Sequence, residues 1–301
     1  MAIRWLFIFG SVLISLGACS VLPAGDSRDA YVQEVLKWRE QRLAELRKPD
    51  GWPTLVGLYW LEAGENTVGS DRENDIRFPD ATPGFLGTFH LHGDSVTYSL
   101  APGNHITLEG EPVLKGNFRT DLEDNTTYLY WKSFQWHIIH RGEKYGVRLR
   151  DTLHPARMHL TSIPAYPIDA KWNKRAVFIK TDSAATVSMK NQVGMTLEYA
   201  VEGYLVFRHR GRQYRLAALD GGPEDLFVLI SDRTTGVETY GGGRYLYVPR
   251  PKGPDHVTFI DFNKAYNPPC VFTDFATCLL PPPENALPFL LKAGEKDAGH
   301  H

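Results

Sequence analysis

Neither sign of charge dominates this sequence: 33 Lys and Arg stand against 35 Asp and Glu, a formal balance of −2. The balance gives no global electrostatic reason to bind nucleic acid or an acidic membrane. Long hydrophobic stretches are missing too. The uncharged apolar run from Trp5 to Leu16 falls short of the roughly 20 residues a membrane-spanning helix needs. Runs free of Gly and Pro are scarce, and the 27 Gly and 20 Pro exclude a coiled coil or helical bundle. Collagen is excluded because no Gly-X-Y period occurs, and disorder because apolar content is ordinary. Also absent are a Gly-x-Ser-x-Gly elbow, His-Glu-x-x-His, Cys-x-x-Cys, a P-loop and Gly-x-Gly-x-x-Gly. The common hydrolase, zincin, nucleotide and dinucleotide signatures are therefore missing, although a triad can assemble from distant residues.

What is present is most legible at the N terminus. Arg4 precedes the apolar run, whose length suits the h-region of a signal peptide. The run ends in Leu16-Gly17-Ala18-Cys19, which resembles a bacterial lipobox. That resemblance implies diacylation of Cys19 through its sulfur, cleavage after Ala18 and acylation of the new amino terminus. An ordinary signal cleaved near Ala18 is the other reading. Acyl chains, at about 0.8 kcal/mol per buried CH₂, hold a protein on a membrane without a spanning segment. Ser20 rather than Asp after the cysteine points to the outer membrane, so the expected place is the cell envelope, facing the periplasm. Cleavage also removes Arg4, leaving a slightly acidic body with no net attraction to anionic lipid.

Residues 1–18 are thus read as signal peptide and 19–50 as a tether and helix. Asp26 or Ser27 can cap that helix, Tyr31, Val32, Val35, Leu36, Leu43 and Leu46 form its apolar stripe, and Pro49 stops it. From Gly51 short β-type segments alternate with Gly, Asn, Asp and Pro, and a Pro- and Trp-containing connector spans 163–172. A second β series follows, with a hairpin turning at Gly211, and a proline-rich end closes the chain. The expected fold is mainly β: an N-terminal helix, an antiparallel β-sandwich over 51–162, and a second β-rich barrel or sandwich over 163–301 packed on it.

Asp261-Phe262-Asn263-Lys264-Ala265-Tyr266-Asn267-Pro268-Pro269-Cys270, Ala276-Thr277-Cys278 and Pro281-Pro282-Pro283-Glu284-Asn285 resemble the signature of the bacterial family named domain of unknown function 1684. Leu55–Leu61, Gly146–Asp151 and Thr239–Arg244 resemble it too. The resemblance spans 51 to about 296 and implies no established activity. Within the first half, Gly64–Ser70 and Asn74–Pro79 are similar to the opening of a forkhead-associated β-sandwich. That family reads phosphothreonine with an Arg after the Gly and a Ser-x-x-His turn. Here Ser70 follows Gly69 and residues 81–90 contain no such turn, so the likeness implies the sandwich without phosphopeptide binding.

With Cys19 lipidated, Cys270 and Cys278 remain. In an oxidising compartment they suit a disulfide, which would close a nine-residue segment worth roughly 2.6 kcal/mol in the loop-entropy model. A thiolate pair on a soft metal and a nucleophilic Cys270 are the alternatives. The candidate ligand site is a set of arginines beside turns: Arg148 with Asp151, Arg233, and Arg244 after three glycines. On a strand, Arg148 and Arg150 share a face opposite Val147 and Leu149. Converging guanidiniums make a bidentate receptor for carboxylate or phosphate. Pairing with Asp151, Asp232 or Asp261 would instead make them loop fasteners. His137, among Trp131, Phe134 and Trp136, is either a general base or a core-edge imidazole. His90 and His92 share a strand face, which suits two metal ligands or a solvent-facing hairpin; no metal or cofactor is expected.

The functional expectation is a membrane-anchored lipoprotein binding a small anionic ligand or envelope component, with no nucleic-acid partner. A hydrolase using Cys270 or a His-Asp pair, and a structural envelope protein, are the alternatives.

Overall fold

The computed structural model describes residues 24–181 and 185–299. The lipobox with Cys19 and the terminal His300-His301 lie outside the described residues. No helix among the described residues is long and apolar enough to cross a membrane.

Helix α1 (Ala24–Leu46) begins ahead of the expected cap at Asp26 or Ser27. Its docking stripe is only partly the apolar one. Val35 and Leu46 are buried, whereas Leu36 is 39% exposed. Polar contacts add to these: the Tyr31 hydroxyl donates to Asp261 Oδ1 at 2.8 Å, Arg39 to the Tyr166 carbonyl at 3.0 Å, and Arg47 to the Leu160 carbonyl at 2.7 Å. Arg42 pairs with the buried Glu295 at 2.5 Å and donates to the Asn267 carbonyl at 2.8 Å. Positions 31, 35, 39, 42 and 46 follow helical spacing, but two are arginines that an apolar count passes over.

Eleven strands form the first β body: β1 (Leu55–Trp60), β2 (Gly64–Gly69), β3 (Ile76–Arg77), β4 (Gly87–His92), β5 (Ser95–Leu100), β6 (Thr107–Leu108), β7 (Glu111–Pro112), β8 (Lys115–Asn117), β9 (Leu129–Trp131), β10 (Phe134–Arg141) and β11 (Lys144–Asp151). They make two sheets, ordered β1-β11-β10-β9-β6-β7 and β3-β2-β4-β5-β8. Only β2 and β3 pair in parallel. Alternation sets what lies between the sheets. Trp136 and Ile138 of β10 and Val147 and Leu149 of β11 join Phe78, Phe89 and Val96 in one core. Each such side chain contributes about 1.5–3 kcal/mol on burial, and Phe78 meets Trp136 edge-on at 5.5 Å.

After a short helix α2 (Ala156–His159) comes the second body: β12 (Asn173–Lys180), β13 (Thr186–Lys190), β14 (Thr196–Ala200), β15 (Gly203–His209), β16 (Arg212–Asp220), β17 (Asp225–Ile230), β18 (Arg244–Pro249) and β19 (Val257–Asp261). Six of these run in the order β18-β17-β16-β15-β12-β19, and β13 and β14 form a separate hairpin. The β15–β16 turn places Arg210 (φ 48°) and Gly211 (φ 76°) in left-handed conformation, the geometry that matches strand twist in a two-residue hairpin. The sheet curls until its edges approach, where the Thr258 hydroxyl of β19 donates to the Pro249 carbonyl of β18 at 2.6 Å. The result is a near-closed barrel filled by residues such as Leu205, Phe207, Leu226, Val228, Leu246 and Ile260. The chain is therefore mainly β, with one long N-terminal helix, as its patterning predicts.

Candidate anion-binding cleft

The β10–β11 hairpin turns Trp136, Ile138, Val147 and Leu149 into the first core, so the residues between them face the other way. Arg148 pairs in register with His137 on one side and Leu58 on the other. In an isolated sandwich that face would meet water. Here the second body covers it, and Arg148 is only 5% exposed.

The cover is a loop built by the Cys270–Cys278 disulfide, whose Cα atoms lie 6.1 Å apart. Pairing Cys278 in this way leaves Cys270 no free thiol, which removes the nucleophile and the thiolate–metal reading together. The loop's C-terminal end joins the end of β13 and the turn after it: the Gln192 N–H donates to the Cys278 carbonyl at 2.9 Å and the Leu280 N–H to the Lys190 carbonyl at 2.8 Å. Thr277 is thereby held against two guanidiniums, receiving Arg141 Nε at 3.2 Å and Arg148 Nη2 at 3.4 Å.

The two arginines differ in what else they have. Arg141 is closed by Asp121, with contacts of 3.0 and 2.6 Å. Burial opposes ionisation of Asp121, but hydrogen bonds from Arg141 and the His140 N–H outweigh it and hold the carboxyl below its usual range. Arg148 has no carboxylate within ion-pair distance among the described residues, and its buried Nε has no hydrogen-bond partner. Its guanidinium sits 5.7 Å from the Trp52 ring centre. Burial and the adjacent positive charge of Arg141 push its pKa down to about 10. A pocket of about 250 Å³ opens beside it, lined also by Trp52, Asn191, Tyr199, Thr277 and Leu279.

Trp52, Phe227, Tyr245 and Pro269 line both this pocket and a wider trough of about 650 Å³. The trough runs between α1 and the outer side of β17–β18, with Trp38, Tyr247, Tyr266 and Phe272 adding aromatic surface. Tyr247 and Tyr266 stack at 6.1 Å with their planes 14° apart. Arg42 lies 4.4 Å over Tyr266 but is already committed to Glu295. Chemically, the two pockets form an aromatic channel ending at a buried cation.

The four residues expected to converge are placed separately. Arg244 lies on the interior side of β18, because Tyr245 and Tyr247 take the outer positions. It is wholly buried and closed by Asp232 at 2.8 Å, with further donation to the Leu291, Ala293 and Glu295 carbonyls. The close approach that Gly243 allows is to its own chain. A Cβ there, at φ +80°, would lie 2.4 Å from Pro281 and 2.7 Å from the Ile230 carbonyl. Asp151 ends β11 and accepts the Leu153 N–H at 3.0 Å, and Arg233 is exposed. Only Arg148 of the four reaches the cleft.

His137 is buried against Tyr128, ring centres 4.9 Å apart. Burial first, and then the charge of Arg148, lower its pKa to about 3. A neutral imidazole that resists protonation is a poor general base. His90 faces Glu65 at 3.8 Å and His92 is exposed, and no metal-holding cluster occurs among the described residues. Sequence reasoning gave no site role to Arg141, Thr277 or the trough tyrosines Tyr245, Tyr247 and Tyr266. The outward alternation of Tyr245 and Tyr247 on β18 was the signal available for those two.

Residues 158–296 match the family model of a protein of unknown function, DUF1684. The matched segment thus runs from the end of α2 through the second body and the Cys270–Cys278 loop, including Arg244 and Thr277. Leu55–Leu61 and Gly146–Asp151, with Arg148, lie outside it. Among curated proteins none matches the chain. Among solved structures, an uncharacterized protein of Haloarcula marismortui is 28% identical, with 48% of this chain and 81% of that one covered and a TM-score of 0.40. A structure from work on phosphothreonine-dependent FHA domain interactions is 16% identical over 32% of this chain and 96% of that one, TM-score 0.22. A further FHA structure is 17% identical over 32% and 93%, TM-score 0.21.

Proposed function

We propose that this is a bacterial lipoprotein, anchored through Cys19 and facing the periplasm from the outer membrane, that binds a small anionic ligand in the cleft between its two β bodies. The carboxylate or phosphate of that ligand meets Arg148, and its flat or apolar body lies along the aromatic trough. The family assignment extends in this reading to the first body, since the cleft needs both. The observation that carries the proposal is a buried guanidinium without a carboxylate that borders an open pocket. A cation taken out of water needs compensation, and an anionic ligand supplies it by charge-assisted hydrogen bonds.

Quenching of tryptophan fluorescence by naphthalene-2-carboxylate tests the cleft, because Trp52 lines both pockets. Saturable quenching is expected for the wild type, weaker by about 10- to 150-fold in Arg148→Gln at the 1.5–3 kcal/mol of a hydrogen bond to a charged group. Equal affinity for the neutral naphthalene-2-methanol, or an Arg148→Gln variant that binds as well, overturns it. Mass spectrometry of the membrane-extracted protein tests the anchor: acyl chains on residue 19 support it and an unmodified Cys19 refutes it.

A further inference from the structure

The near-neutral net charge conceals a local concentration of arginine on the second body. Arg175 of β12, Arg208 of β15 and Arg215 of β16 are exposed on the outer side of the barrel. Arg210 and Arg212 stand on the turn that bounds it. None of the five has a carboxylate partner among the described residues, and Arg215 lies 4.7 Å over the Tyr204 ring. Strand register fills the space between them with apolar side chains. Arg175 pairs with Phe259, Val177 with Val257 and Val206, Ile179 with Tyr204, and Val206 with Arg215. Ile179 is 54% exposed and Phe259 53%. Between Arg175 and Ile179, Tyr204 and Arg208, Gln213 and Arg215, and Val257 and Phe259, no outward position holds Asp or Glu. The field is felt nearby: burial, Lys174 and Arg210 all lower the pKa of His209.

We infer that this face docks on the anionic surface of a lipid bilayer, its arginines meeting phosphate headgroups and Ile179 and Phe259 entering the headgroup–acyl boundary. Each Arg near an anionic leaflet is attracted independently of the protein's total charge, and long cationic side chains suit the polar–apolar boundary. A polyanion such as RNA offers charge but no apolar phase for the exposed aliphatic side chains, so the mixture favours lipid. The start of the chain agrees. Cys19 lies five residues before Ala24, a reach of at most about 18 Å, and α1 first grips the body where Tyr31 meets Asp261 at the end of β19, the strand carrying Phe259. The chemistry of the face stands without acylation of Cys19, and the cleft at Arg148 plays no part in it.

The test is co-sedimentation of the full chain carrying Cys19→Ser with vesicles of phosphatidylcholine alone or mixed 3:1 with phosphatidylglycerol. All variants share the N-terminal apolar run, so differences between them read the face. Preferential binding to anionic vesicles is expected, falling with salt. The Arg175→Gln/Arg208→Gln/Arg215→Gln variant is expected to lose roughly 100-fold, about fivefold per arginine, while Arg148→Gln partitions like the parent. Phe259→Trp should blue-shift on these vesicles and be quenched by brominated lipid, whereas Leu153→Trp on the first body should not. Equal binding by the triple variant, or no quenching at position 259, overturns the inference. So does arginine-dependent binding of an RNA oligonucleotide without vesicle binding.

Discussion

Arg148 and Arg244 are both buried strand arginines beside a turn-rich segment, yet their surroundings are opposite. Arg244 points into the second body, where Asp232 and the carbonyls of Leu291, Ala293 and Glu295 take up both Nη groups, leaving only Nε without a partner among the described residues. Arg148 points out of the first body into the seam, where it finds a threonine, a tryptophan face and open space. A buried guanidinium closed by its own chain fastens loops; one left open is available to a ligand. Burial alone does not distinguish the two, but the count of committed donors does.

The contrast breaks if removing the partner of Arg244 is tolerated. Asp232→Ala leaves that guanidinium uncompensated and should cost about 3–5 kcal/mol, measured by urea unfolding. Next in size is the disulfide. Cys270→Ser/Cys278→Ser should lower stability by about 2.6 kcal/mol in the loop-entropy model, and also weaken binding of naphthalene-2-carboxylate, because the loop carries Thr277.

His137 supplies a pH signature of the open site. Its folded value of about 3 lies below the ordinary 6.5, so between those values the unfolded chain binds the additional proton. Stability is full above about pH 6.5 and falls toward pH 3, by up to about 1.4 kcal/mol per pH unit from this group. His137→Phe should flatten that acid limb in thermal melts. Arg148→Met should move the midpoint of His137 upward, as read by NMR titration. The smallest effect on stability belongs to Arg148→Met itself, unchanged or raised by up to about 1 kcal/mol, since an apolar side chain replaces an uncompensated buried charge. A loss of several kcal/mol there would place Arg148 in the same class as Arg244.

The architecture was legible because local alternation and turn residues encode it. Val147 and Leu149 against Arg148 and Arg150 is a period-two signal, and it assigned the faces of β11 from the sequence alone. The strands β6, β7 and β8 are two or three residues long and too short for any period to register. The site was legible only in its first member. Arg148 is reached by Thr277, 129 positions later in the chain, and the trough joins α1 to β17, β18 and the segment at 266–272. Such juxtapositions arise from how two bodies and a helix pack, which leaves no trace in any single window. The basic face escaped for a related reason. Its arginines are spread over three strands and a turn, and a whole-chain charge sum averages them away against carboxylates elsewhere.

The grip of Arg42 on Glu295 also has a temporal meaning. The helix is made well ahead of its buried partner, which stands 253 residues later in the sequence. At synthesis rates of 5–20 residues per second, about 13–50 seconds separate the two. Throughout that interval α1 has no completed seat, and the second body lacks the strap that spans it. The helix synthesised early becomes the piece fitted late, its seat completed only once Glu295 has been made.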